Sequence, residues 1–65
     1  MKNLEVYRIT YAYEEETLYT TTVVATSTYN ALTKFREYIK KEDNKNLDDL
    51  LAISIINETK RKEVE

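Results

Sequence analysis

The apolar residues of this chain change their period sharply between Ala25 and Thr28, and that change dictates the order in which its first elements can form. Up to Ala25 they recur about every second residue; from Ala31 to Ile39 they recur every three or four. From Leu4 to Tyr13 the sequence reads Leu-Glu-Val-Tyr-Arg-Ile-Thr-Tyr-Ala-Tyr, rich in β-branched and aromatic residues with charge and Thr interleaved, which predicts a strand over 4–13. Glu14-Glu15-Glu16-Thr17 interrupts it with three like charges that repel one another and need water, so a hairpin loop is expected there. A second strand follows over about 18–26. Its Tyr19-Thr20-Thr21-Thr22-Val23-Val24 run disfavours a helix, because β-branched side chains lose rotamer freedom against a preceding turn.

At Ala25-Thr26-Ser27-Thr28 a hydroxyl side chain can cap a helix, and the helix is expected over about 28–41. Ala31, Leu32, Phe35, Tyr38 and Ile39 form its apolar stripe, while Lys34, Arg36, Glu37, Lys40 and Lys41 fill the other faces. Glu42 to Asn46 is a polar break, residues 50–57 read as a third strand, and 59–65 as a charged tail. The class is therefore α+β: a ββαβ chain whose three-stranded antiparallel sheet carries one helix packed on one face. With strand one central, one parity places Tyr7, Ile9, Tyr11, Val23, Ala25, Ile53 and Ile55 against Phe35 and Ile39. At 65 residues the chain has room for one such core and is expected to be a single domain.

Composition then removes most chemistry. The chain contains no Cys and no His, so disulfides, thiolate nucleophiles, zinc fingers and the usual general base are all missing. It contains no Gly, which excludes the P-loop and the dinucleotide fingerprint, because both need glycine where backbone approaches phosphate. As a calcium loop starting at Asp43 the match fails, with Asp48 at the glycine position and Ser54 where the bidentate Glu belongs. No enzyme activity, cofactor or metal is expected. No apolar run approaches the ~18 residues of a membrane helix, and the charged start, Met1 to Arg8, is not a secretory signal, so a cytoplasmic protein is expected.

Two surfaces stand out as candidate contacts. The opposite sheet parity carries Leu4, Val6, Leu18, Val24 and Ile56 among Arg8, Thr10, Thr20, Thr22 and Ala52, more apolar than a water-facing sheet requires. Covering it, by a second copy or a host protein, would stabilise so small a domain. The acidic loops, Glu14, Glu15 and Glu16 with Glu42, Asp43, Asp48 and Asp49, suit contact with a basic protein surface, and Tyr13, Tyr19 and Tyr29 are expected to be exposed contacts. Nucleic-acid binding through Lys34 to Lys41 is the alternative, with tyrosines available to stack bases. Charge opposes it: residues 1–33 hold two basic and four acidic side chains, and 34–65 hold eight of each. A structural homodimer through the open face is a third reading.

A short, acidic, Cys-free ββαβ chain, with the Ala25-Thr26-Ser27-Thr28-Tyr29-Asn30-Ala31-Leu32 junction and an excess of residues with AT-rich codons, resembles the small accessory proteins of phages and mobile elements, anti-CRISPR proteins among them. That resemblance rests on size, charge and layout and brings no site residues with it. It implies an inhibitor that occupies a surface of a host nucleic-acid-binding or defence protein, such as a CRISPR effector. The sequence therefore points to a protein-binding module with Glu14, Glu15, Glu16, Asp48, Asp49, Tyr13 and Tyr19 as contact residues, and with Leu4, Val6, Leu18, Val24 and Ile56 as a second face.

Overall fold

The computed structural model describes residues 3–61, with side chains through Thr59. Its elements follow the order β1 (Glu5–Glu14), β2 (Thr17–Ala25), α1 (Thr28–Asp43), a 3₁₀ turn (Leu47–Asp49), β3 (Ala52–Asn57) and a short α2 (Glu58–Arg61). The sheet is antiparallel throughout, in the order β2-β1-β3, with β1 in the centre as its length and large side chains predict. Ile9 lies between Thr21 and Ile55, and Tyr11 between Tyr19 and Ile53.

Without glycine, the backbone reversals are made by other means. The hairpin closes at Glu14 and Thr17 through Glu15 and Glu16, and neither turn residue has a positive φ. The mirror-image turns that match strand twist need positive φ and are therefore not used. Instead, β1 takes up one extra residue between Tyr11 and Glu14, a bulge opposite Leu18. At the other reversal, Asn44 ends α1 in the left-handed region (φ 58°, ψ 42°), which Asn tolerates better than most residues. Its N–H donates to the Lys40 carbonyl and that of Lys45 to the Ile39 carbonyl, both at 3.1 Å, in a Schellman closure.

The start of α1 is capped twice. Ser27 Oγ accepts the Asn30 N–H at 3.0 Å, and Asn30 Oδ1 accepts the Thr26 N–H at 3.0 Å. α1 then lays Ala31, Phe35 and Ile39 over β1 and β2, and the core divides into Tyr7–Ala25–Ala31 at one end and Ile9–Tyr11–Phe35–Ile39 at the other. Phe35, Ile9 and Ile39 are its largest fully buried side chains. Ile53, expected in this core, is 41% exposed, because α1 lies over β1 and β2 and leaves the β3 edge uncovered at that point.

β1 and β2 are each shifted by one residue from expectation, and two boundaries differ by two residues. α1 runs to Asp43, and β3 starts at Ala52, because the 3₁₀ turn and Leu50 pack the chain back onto the core before pairing begins. Leu51 donates its N–H to the Ala12 carbonyl at 2.7 Å, which pins this connection to the bulged end of β1. The expected charged tail starts as α2, where Thr59 Oγ1 accepts the Val6 N–H at 2.9 Å and Glu58 pairs with Arg8 at 2.6 Å. Its residues 62–65 lie outside those described.

Candidate functional site

The hairpin end of the sheet, the C-terminal turn of α1 and the chain leading to the 3₁₀ turn meet around a hollow of about 420 Å³ lined by Tyr11, Tyr13, Glu14, Tyr19, Tyr38, Asp43 and Lys45. The sheet register creates its aromatic floor. Tyr19 lies opposite Tyr11, and their rings stack with centroids 5.5 Å apart. Tyr13 meets the Tyr11 ring edge-on at 5.8 Å and stands 6.1 Å from Tyr19, while Phe35 closes the inner side of Tyr11 at 4.8 Å. Tyr38 continues the wall from α1, stacked on Phe35 at 6.5 Å.

The bulge makes this arrangement possible. In a regular strand Tyr13 and Glu14 would point to opposite faces, yet both line the hollow; the extra residue re-aims the end of β1. Tyr13, expected to be an exposed contact, is half-buried, with its hydroxyl donating to Asp43 Oδ2 at 2.8 Å. The Schellman closure at Asn44 delivers Lys45 to the same ring, its Nζ 5.3 Å from the Tyr13 centroid, within cation–π range. Tyr19 is 46% exposed and forms the rim.

Burial pushes the Tyr11 hydroxyl up to about 12, with the neighbouring Tyr38 and Asp43 adding to the effect. Burial also raises Tyr13, and its hydrogen bond to the Asp43 carboxylate holds the proton further. Both hydroxyls therefore stay neutral through the physiological range. The hollow offers ring faces, two carboxylates and one lysine, with no ionised phenolate among Tyr11 and Tyr13.

The acidic residues singled out from sequence gather at this same end. Glu15 and Glu16 form the exposed turn beside Glu14. Asp48 and Asp49 are exposed on the 3₁₀ turn, which the Leu51–Ala12 hydrogen bond holds near the bulge. Asp49 also has a local task, accepting the Asn46 N–H at 2.8 Å to close a capping box. Asp43 belongs to the acidic loops expected to make contact, whereas Tyr11, Tyr38 and Lys45 are not among the expected contact residues. The sequence marks Tyr11 and Tyr38 as core, and the Tyr11–Tyr19 pairing depends on the bulge, which follows only when the strand parities are combined with a two-residue turn.

The open sheet face is less continuous than its parity promised. Leu4, Val6, Leu18, Val24 and Ile56 are all exposed. Val6 and Val24 are paired, with Ile56 one row away beside Arg8, but Leu18 stands six residues along β2 from Val24, or about 20 Å. The rows between carry Arg8 with Thr22, and Thr10 with Thr20 and Ser54. Two apolar ends are thus separated by a hydroxyl-rich middle, with Arg8 held in its ion pair to Glu58.

On the far side of α1, Arg36, Glu37, Lys40 and Lys41 face Asn46 and Leu47 across a smaller groove of about 250 Å³. Tyr29 is 79% exposed near the start of α1, away from both hollows. Among the described residues no three or more His, Cys, Asp or Glu are placed to hold a metal, and no helix is long and apolar enough to cross a membrane. Comparison of the chain with protein-family models, with curated proteins and with solved structures found no match.

Proposed function

We propose that this chain is a non-enzymatic protein-binding module whose contact surface is the acidic, tyrosine-lined end of the sheet. The observation that carries the reading is that Glu14 and Asp43 line one hollow with the rings of Tyr13, Tyr19 and Tyr38, while Glu15 and Glu16 occupy the adjoining turn and Asp49 lies near enough for its charge to act on Tyr13. Exposed carboxylates speed encounter with a basic surface, and partly exposed tyrosines supply contact area at low entropy cost. Such a surface fits the nucleic-acid-binding groove of a host protein, where the carboxylates take the place of phosphates and block the groove. An accessory inhibitor of the phage or mobile-element kind would work in this way, without chemistry of its own.

A second reading has one observation in its favour: the α1 groove collects Arg36, Lys40 and Lys41 on one side, which would serve phosphate contacts. The two readings separate in an affinity capture of the tagged chain from a nuclease-treated lysate of a low-GC bacterium, followed by mass spectrometry. The module reading expects a discrete, stoichiometric basic protein whose retention falls as salt is raised. An empty eluate that carries nucleic acid when nuclease is omitted would overturn it in favour of the groove.

A further inference from the structure

We infer that the tyrosine hollow takes the guanidinium of an arginine side chain presented by the partner, with Lys45 as the cation it displaces. This rests on the module reading above and specifies the chemistry that reading leaves open.

The lining excludes the other ligand classes one at a time. An anion would meet Glu14 and Asp43 with only Lys45 to oppose them. A purely apolar side chain would press against the Glu14 carboxylate and offer it no partner, which is costly. A cation meets neither obstacle: ring faces attract it through their quadrupoles, and the carboxylates add charge attraction. The chain itself demonstrates this preference, because Lys45 Nζ rests 5.3 Å from the Tyr13 centroid although the side chain is exposed and free to point into solvent.

Arginine fits better than lysine. Its planar head can stack on Tyr13 or Tyr19 and at the same time present paired N–H groups to Glu14, whereas an ammonium can do only one of these well. Asp43 has one oxygen engaged by the Tyr13 hydroxyl, which leaves Glu14 as the more available carboxylate. A volume of about 420 Å³ accommodates such a head with some water. Lys45 is exposed just past the helix end, so its side chain can swing out when the stronger ligand arrives.

The test is a titration of the full chain, its tyrosine rings ¹³C-labelled and followed by NMR, with the peptide acetyl-Gly-Arg-Gly-amide and with its neutral citrulline counterpart. Saturable shifts of the Tyr13 and Tyr19 rings are expected with the arginine peptide, at millimolar concentration, and at least ten-fold weaker with citrulline. Glu14→Gln should weaken the arginine response about three-fold or more, and Tyr19→Ala by about ten-fold. Lys45→Ala should strengthen it about two- to five-fold, a gain that loss of folding cannot produce. Equal responses to the two peptides, or a Lys45→Ala variant that binds more weakly, would overturn the inference, as would stronger ring shifts with uridine monophosphate. If the rings ignore arginine while a basic protein is still captured and still lost on neutralising Glu14, Glu15 and Glu16, the arginine pocket fails and the module stands. If no protein is captured at all, the module reading itself fails.

Discussion

At the scale of single residues, Tyr13 and Asn44 show how much of the site depends on one side chain each. Tyr13 joins three features: an edge contact with Tyr11, a hydrogen bond to Asp43 and the ring under Lys45. Tyr13→Phe keeps the ring and removes the hydrogen bond, so thermal or urea unfolding should show a loss of about 0.5–1.5 kcal/mol, the usual net value of such a bond. The same protons give an alkaline limit. Tyr11 and Tyr13 hold their protons more tightly folded than unfolded, so above pH 10 the unfolded chain loses protons first and stability declines. Stability from these groups should be intact below about pH 10 and, for Tyr11, lost as pH rises from 10 towards 12, which unfolding midpoints across that range would show. Tyr13→Phe should flatten part of that decline. A midpoint independent of pH over the same range would contradict the assignment.

Asn44 is the only non-glycine residue with positive φ among those described. Asn44→Gly should be neutral or slightly stabilising, whereas Asn44→Val should cost about 1–2 kcal/mol or more, because a β-branched side chain crowds the following carbonyl there. Urea unfolding of the two variants checks this pair. A valine variant as stable as the glycine one would mean that the left-handed cap is not maintained in solution.

At the scale of elements, the strands and helix are legible in the sequence because each buries one face, and burial imposes a period. The Ser27 cap, the α1 stripe and the central position of β1 all follow from that rule. Ser27→Ala should lower stability by about 1 kcal/mol in the same assay, as loss of a helix cap does. The bulge is implicit in the strand parities. Tyr7, Ile9, Tyr11, Val23 and Ala25 share one parity on two strands, so paired positions must sum to an even number. A two-residue turn closed by Glu14 and Thr17 gives an odd sum, and one strand must therefore absorb a residue. The bulge sets Tyr19 against Tyr11 and turns Glu14 towards the rings. The 3₁₀ turn was not legible, since three residues lack a period; Leu50 and Leu51 read as strand because apolar pairs look alike in strands and in turns that pack on a core. Ile53 was misplaced because parity assigns a face and cannot say how far the helix covers it.

At the scale of the whole molecule, a core this small leaves little margin. Domains of this size draw only about 3–5 kcal/mol from one core, and truncating a fully buried Ile costs about 2–5 kcal/mol. Ile39→Ala should therefore leave the chain largely unfolded at room temperature, as circular dichroism would show. The division of surface is the larger lesson. Carboxylates and tyrosines cluster at the hairpin end, basic residues line the outer side of α1, and the open sheet face is apolar at its ends and hydroxyl-rich between them. A homodimer through that face would have to bury Thr10, Thr20 and Thr22 together with the Arg8–Glu58 pair, which costs free energy unless each polar group finds a partner.

The most direct measurement compares two charge variants in the same capture experiment: Glu14→Gln, Glu15→Gln and Glu16→Gln combined, against Lys40→Glu with Lys41→Glu, each first shown to be folded by circular dichroism. The glutamine variant is expected to capture its protein partner about ten-fold less well or worse, while the lysine variant retains it. Retention by the glutamine variant and loss by the lysine variant would place the working surface on α1 and contradict the acidic end as the site of binding.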